Sequence, residues 1–229
     1  MFENFKKIFA PPVTVATVPN MPNTPDNETS RWAAAQGFSY KSVDSGFVVV
    51  GQVDNRPWKL ECAKSSRDYI HGDELRARAD LKINEDVSVL IMNRPLKEAL
   101  EKRAYEMYTD TLQTIANPNL PEEMRWLAIY PEVSWEASPQ ALWSRYCVLA
   151  DHREHALTWL DDAFISSMLS WPHPGPDDQV PFILMLLRGK IYLRMQFSPA
   201  DMSTTEHAVR IFTLASVSAV RGFTVDVSI

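Results

Sequence analysis

From Phe38 onward the hydrophobic positions recur every second residue, and this alternation governs the first half of the chain. FSYKSV, FVVVGQV and WKLECA are three β-rich runs divided by Asp44-Ser45-Gly46 and Asp54-Asn55-Arg56-Pro57. Both dividers are turn-forming, so the runs predict an antiparallel meander. In the third run Trp58, Leu60 and Cys62 alternate with Lys59 and Glu61, giving one buried face and one wet face. VSVLIM, at 87–92, is apolar enough for a central strand. Between the third and fourth runs lies a charged excursion, 65–86, whose middle, DELRARADL, predicts a short helix capped by Asp73.

A helical period takes over at Asn93, read as an N-cap. Leu96, Leu100, Met107 and Ile115 fall near one face, Glu98 and Lys102 form an i,i+4 pair, and Asn117-Pro118-Asn119 ends the helix. RWLAIY (125–130) predicts a strand. Ser138-Pro139 opens a helix burying Leu142, Tyr146 and Leu149. Asp151 and Glu154 stand at N-cap and N3 spacing for a restarted helix carrying Leu160 and Phe164. After a proline-rich loop at 171–181, two apolar runs meet about Arg188-Gly189-Lys190. Each run is of sheet length and Arg188 interrupts them, so the stretch 182–197 predicts a core hairpin and not a membrane span. A long helix follows, with Ser203 and Glu206 spaced as a capping box, and FTVDVSI can close the chain as an edge strand.

These elements predict an α+β fold: a mostly antiparallel sheet of hairpins backed by amphipathic helices. The segments GFVVVGQVDNRPWKLEC and PFILMLLRGKIYLRMQF resemble each other as hairpins. They suggest an internal pseudo-repeat, with halves at 31–118 and 119–229 sharing one sheet. Ahead of the globular region, Phe2, Phe5, Ile8 and Phe9 sit at helical spacing opposite Lys6 and Lys7. Residues 11–30 hold five prolines and read as an extended tether. The organisation expected is therefore a short amphipathic helix and tether over 1–30, then one domain from 31 to 229.

Composition changes this picture little. With 45% hydrophobic and 23% charged residues the chain is far from the disordered class. A net charge of −6 and the lack of a long basic run argue against nucleic-acid binding. The two cysteines, Cys62 and Cys147, are too few and too far apart for a disulfide framework or a Cys-based zinc site. They read as core residues of a chain in a reducing compartment, and with no secretory pattern at the start the cytoplasm is the expected location.

Candidate chemistry is sparse. Asp151-His152-Arg153-Glu154-His155 places two histidines three residues apart, which meets neither H-E-x-x-H nor H-x-x-E-H and has no third ligand in view. Helix restart is the preferred reading, and no metal site is assigned. The second candidate is the charged excursion: Arg67, Asp68, His71, Asp73, Glu74 and Arg76, with Arg78 beyond. Carboxylates and a histidine on a loop offer acid/base or cation-binding groups, and the arginines offer bidentate donors to phosphate or carboxylate. No nucleophile elbow, protease cysteine signature, P-loop or dinucleotide fingerprint occurs among only 7 glycines, and no cofactor is assigned. Of the seven tryptophans, Trp135 and Trp171 lie in loops and are the two that could face a ligand or partner.

These observations favour a non-catalytic binding or protein-interaction module, with a protein partner or self-association as a homodimer possible. One alternative is a metal- or phosphate-dependent enzyme with its site on 65–86. Another is a peripheral membrane protein using Phe2, Phe5, Ile8 and Phe9, disfavoured because so short a helix anchors weakly.

Overall fold

The structure, a computed structural model, describes residues 28–109 and 122–224. The expected N-terminal helix, most of the tether, Ile115, the Asn117-Pro118-Asn119 stop and the last five residues lie outside them. Helix α1, Glu28–Ala35, opens three residues before the domain start expected at Arg31. The three alternating runs then form β1 (Ser39–Val43), β2 (Gly46–Val53) and β3 (Arg56–Lys64). Asp54 and Asn55, both at positive φ (48° and 59°), make the two-residue turn between β2 and β3. This is the turn whose twist matches that of paired strands.

The excursion holds a strand and not the helix expected at DELRARADL: β4 runs Asp73–Asp80 and pairs with β3 and β8. Leu75, Ala77 and Ala79 are buried on one side while Arg76 and Arg78 point to the other. At helical spacing Leu75 and Ala79 would share a face but Ala77 would point away from it, so only period two gathers all three. β5 (Ser88–Asn93) leads directly into α2 (Arg94–Thr109). Asn93 does not cap that helix. Its amide donates to the Asp178 carbonyl (2.7 Å) and its oxygen accepts from the Phe182 amide (2.9 Å), tying the 171–181 loop to the sheet.

RWLAIY is helical up to Ile129, the end of α3 (Glu122–Ile129), and the Tyr130 amide donates back to the Trp126 carbonyl. Glu122 and Glu123 in the first turn favour the helix dipole, and Met124 and Trp126 bury against the sheet. The helix after Pro139 is also shorter than expected. α4 (Gln140–Arg145) stops where Tyr146–Ala150 becomes β6, a run buried on both faces as a covered strand requires. α5 (Arg153–Trp159) and α6 (Asp162–Leu169) follow. Asp151 is not the N-cap of α5, a position held by His152. Its carboxylate instead takes the Ser88 and His152 amides and meets His155 Nδ1 at 2.8 Å.

β7 (Phe182–Leu187) and β8 (Lys190–Gln196) form the second hairpin, turning on Arg188 and Gly189 at positive φ. The last described element, α7 (Met202–Phe223), starts at Asp201 and not at Ser203. Asp201 accepts the Thr204 amide at 2.7 Å, and Ser203 supports it by donating its hydroxyl to the same carboxylate.

All eight strands join in one antiparallel sheet ordered β1-β2-β3-β4-β8-β7-β5-β6. β5, from the first half of the chain, lies between β6 and β7 of the second. One face carries the main core, where α5, α6 and α7 pack on residues such as Leu60, Leu75, Leu193 and Val148. The other face is covered unevenly. α2 and α3 bury Leu90, Met92, Leu149, Ile183 and Met185 there. Among the described residues no helix is long and apolar enough to cross a membrane.

Candidate functional site

The unevenly covered face becomes charged where the helices stop. Strand register sets its residues in rows that run across the sheet. Val50, Lys59, Arg78, Tyr192, Met185, Leu90 and Leu149 occupy one row, and Val48, Glu61, Arg76, Arg194, Ile183, Met92 and Cys147 the next. Each row is thus apolar on β5, β6 and β7 and charged on β3 and β4, while β8 contributes Tyr192 to the first row and Arg194 to the second. α2 and α3 lie over the apolar end. At the charged end the side chains of Lys59, Glu61 and Arg76 remain 32%, 30% and 37% exposed, so water reaches them.

Two like-charged pairs stand directly opposite each other: Lys59 faces Arg78 across β3 and β4, and Arg76 faces Arg194 across β4 and β8. Direct cross-strand pairs of one sign oppose folding. Arg194 is compensated by Glu123 (3.0 Å) and, more loosely, by Glu122 (3.7 Å), with its guanidinium over the Trp126 ring. Glu61 contacts Lys59 and reaches Arg76 only at 4.0 Å, leaving the buried Arg76 Nε without a hydrogen-bond partner. Among the described residues Arg78 has no carboxylate within ion-pair distance. Lys41, opposite Val48, and Lys190, opposite Asp80, extend the cationic surface at its margins.

The six residues singled out from sequence do not converge on one centre. Arg67 folds back onto Glu74, Nη1 lying 2.7 and 2.8 Å from its two carboxylate oxygens, and Ser65 donates to the same group. Glu74 is fully buried, which places it inside the fold and not on a solvent rim. Tyr69 donates to Glu123 at 2.8 Å, and burial together with the Glu123 charge pushes its phenol well above the usual range. Asp68 pairs at the surface with Arg103, Asp73 pairs with Lys64, and His71 is exposed with its backbone amide donating to Gln196. Of the six, Arg76 alone belongs to the charged rows. Among the described residues no three His, Cys, Asp or Glu side chains are grouped to hold a metal ion.

Where the rows change character a groove opens. It encloses about 560 Å³ out to solvent and is lined by Ser88, Glu122, Trp126, Tyr130, Met185, Leu187, Arg188, Tyr192 and Arg194. Sequence reasoning missed it because RWLAIY was read as a strand, which hides that Trp126 and Tyr130 share a helix face above the sheet. The signal for its floor was present, since Lys190, Tyr192 and Arg194 alternate with Ile191, Leu193 and Met195. A smaller recess of about 230 Å³ lies by Asn93, Tyr146 and Trp171. Trp171 donates to the Tyr146 hydroxyl and packs on Phe182 and His207, while Trp135 stands edge-on to Trp143, so both loop tryptophans are engaged in packing. Burial raises the Cys62 thiol to about 11 and the Cys147 thiol to about 12, which keeps both protonated near neutrality.

No protein-family model and no curated protein matches the sequence. The backbone is similar to the crystal structure of the mycobacterial trehalose monomycolate transport factor A, with a TM-score of 0.47 and 11% sequence identity over 82% of this chain and 90% of that one. So remote a likeness bears on nothing that follows.

Proposed function

We propose that this chain is a non-catalytic binding module that receives an anionic ligand or partner on the open face of β3, β4 and β8. The observation carrying this is the pair of like-charged cross-strand neighbours, Lys59 opposite Arg78 and Arg76 opposite Arg194, in which Arg78 has no carboxylate within ion-pair distance among the described residues. An arrangement that costs stability is kept where a bound anion would relieve it. A general-base role on 65–86 has little support, because Glu74, Asp68 and Asp73 are each tied to a cation. The two buried, protonated thiols fit a reducing compartment such as the cytoplasm.

The test is retention of the full chain on a phosphate-bearing matrix at low salt. The native protein is expected to be held despite its net negative charge, and Arg76→Glu with Arg78→Glu to elute early with an unchanged circular-dichroism spectrum. Equal elution of the two proteins overturns the reading.

A further inference from the structure

The charged rows and the groove share residues, and that continuity narrows the ligand. Tyr192 is the cross-strand partner of Arg78 on one side and of Met185 on the other, and both Tyr192 and Met185 line the groove. A path therefore leads from the Arg76 and Arg78 guanidinia on β4, over the Tyr192 ring on β8, to Met185 and Leu187 on β7. Neighbouring strands are spaced about 4.8 Å apart, so β4 to β7 spans about 10 Å. The far end is roofed by Trp126 and Tyr130 of the α3 region. The groove is shallow and open to solvent, so it suits a slender chain rather than a bulky ring system. One end of the path is cationic and open, and the other sets Trp126, Tyr130, Met185 and Leu187 among the polar side chains of Ser88, Glu122, Arg188 and Arg194.

We infer that the site takes an anionic amphiphile, a phosphate or carboxylate head carrying a single short apolar tail. This rests on the anion-binding reading above and adds the tail. The head lies against Arg76 and Arg78, where planar guanidinium forks match the two oxygens of a carboxylate or phosphate. The Arg76 side chain is 37% exposed, so the head reaches its guanidinium from solvent. The tail crosses Tyr192 and lies on the half-buried Leu187 beside Trp126, with Met185, already buried by α3, reached only at its edge. Glu122 borders the groove and limits the negative charge accepted near Arg194, which favours the head at Arg76 and Arg78 with the uncharged tail beside α3. Bulk inorganic phosphate fills only the first half of such a site.

Isothermal titration of the full chain with inorganic phosphate and with butyl, hexyl and octyl phosphate, all below their micelle-forming concentrations, separates head from tail. Each buried methylene is expected to raise affinity roughly fourfold, so hexyl to octyl phosphate should gain on the order of tenfold. Octanol should bind weakly, and Arg78→Gln should weaken octyl phosphate at least tenfold. Arg78→Gln should also leave the melting temperature unchanged or raise it, because it relieves the contact with Lys59. A merely structural arginine would lower it. Tyr192→Ala should flatten the chain-length series while leaving inorganic phosphate binding in place. Co-sedimentation with phosphatidylglycerol vesicles identifies the source. Arg78-dependent pelleting assigns the amphiphile to a bilayer lipid, and octyl phosphate binding without pelleting assigns it to a free molecule. A flat series with phosphate still bound at Arg76 and Arg78 overturns the tail and spares the anionic face. Loss of both phosphate binding and matrix retention overturns both.

Discussion

The Tyr69 hydroxyl donates to the Glu123 carboxylate at 2.8 Å across 54 residues of sequence, fastening the loop after β3 to helix α3. Glu123 also takes Arg194 at 3.0 Å, and the adjacent Arg67 closes on the fully buried Glu74. These residues form one buried polar network beneath the groove wall. A buried ion pair adds little to stability over well-packed apolar groups, yet removal of one partner strands the other. Arg67→Met should therefore cost on the order of 3–5 kcal/mol in urea unfolding, since it leaves the buried Glu74 without its cation and with only the Ser65 hydroxyl as partner. Glu74→Leu should cost less, because Arg67 is 18% exposed and keeps Glu123 within 3.7 Å. The double substitution should recover much of the loss. A cost below about 1 kcal/mol for Arg67→Met would show that the pair is not holding the loop.

Asp201 and Ser203 offer a direct contrast at the start of α7. Asp201 accepts the Thr204 amide at 2.7 Å, whereas Ser203 only donates to Asp201 at 3.0 Å. Asp201→Ala should thus destabilise by about 1 kcal/mol, the usual value of an N-cap, and Ser203→Ala by a few tenths. Burial alone would raise the Asp201 pKa, but the Thr204 and Ser203 hydrogen bonds outweigh it and hold the carboxylate below its ordinary value. The cap's contribution is accordingly present above the unfolded value and is lost as pH falls through the folded one. Thermal melts of the two variants at neutral pH decide between them, and equal losses would restore Ser203 as the cap.

Much of the sheet was legible in sequence because two-residue alternation and turn chemistry agree at β1, β2, β3, β7 and β8. The pattern failed where local and global signals part. In DELRARADL, strong helix formers outvote an alternation of Leu75, Ala77 and Ala79 whose small side chains make it faint, and only pairing with β3 and β8 decides for a strand. RWLAIY is a short, almost wholly apolar run that fits strand or helix equally, and the sheet does not use it, because its partner is a face and not an edge. The candidate site suffered from the same error. With 65–86 taken as a loop carrying a helix, Arg67, Asp68, His71, Asp73, Glu74 and Arg76 looked like one rim. As a strand the segment sends Arg76 and Arg78 to the open face and turns Glu74 into a buried partner. Cross-strand neighbours such as Arg194 are 118 positions away from Arg76 in number, and no local pattern announces them.

His207 gives the chain a measurable response to acid. It is buried in α7, with Nε2 lying 2.7 Å from the Ser167 carbonyl, so that nitrogen carries the proton and donates. Burial, aided by the Arg210 charge, lowers its pKa from the ordinary 6.5. The unfolded chain therefore binds this proton more readily than the folded one. Its stability contribution is complete above about 6.5 and is lost as pH falls from there through the folded value. Urea midpoints measured from pH 7.5 to pH 5 should decline for the native protein, and the decline should be shallower for His207→Gln, which retains a donor but does not titrate. Parallel curves for the two proteins would show that other groups account for the acid response.

Gly51 is the position where the main core most depends on the absence of a side chain. It is the cross-strand partner of Trp58, whose indole lies across it. A Cβ at residue 51 would fall 2.6 Å from Trp58 Cε2 and 2.8 Å from Phe38 Cδ1, distances that real carbon contacts do not reach. Trp58 cannot yield freely, because it is 2% exposed and stands edge-on to Phe38 at 4.9 Å and to Phe212 of α7 at 6.3 Å. Phe38 in turn packs on Trp32 of α1. Overpacking of this kind usually costs about 1–3 kcal/mol. Gly51→Ala should fall near the upper end of that range despite the better strand propensity of alanine, and Gly51→Val should exceed it although valine is the stronger strand former. If Gly51→Ala instead matches the native protein in urea unfolding, the indole has room to move and the α1–β3–α7 aromatic chain is looser than these contacts require. A second readout follows from the geometry: near-ultraviolet circular dichroism should weaken in Gly51→Ala, because displacing Trp58 disturbs the fixed ring contacts from Trp32 to Phe212.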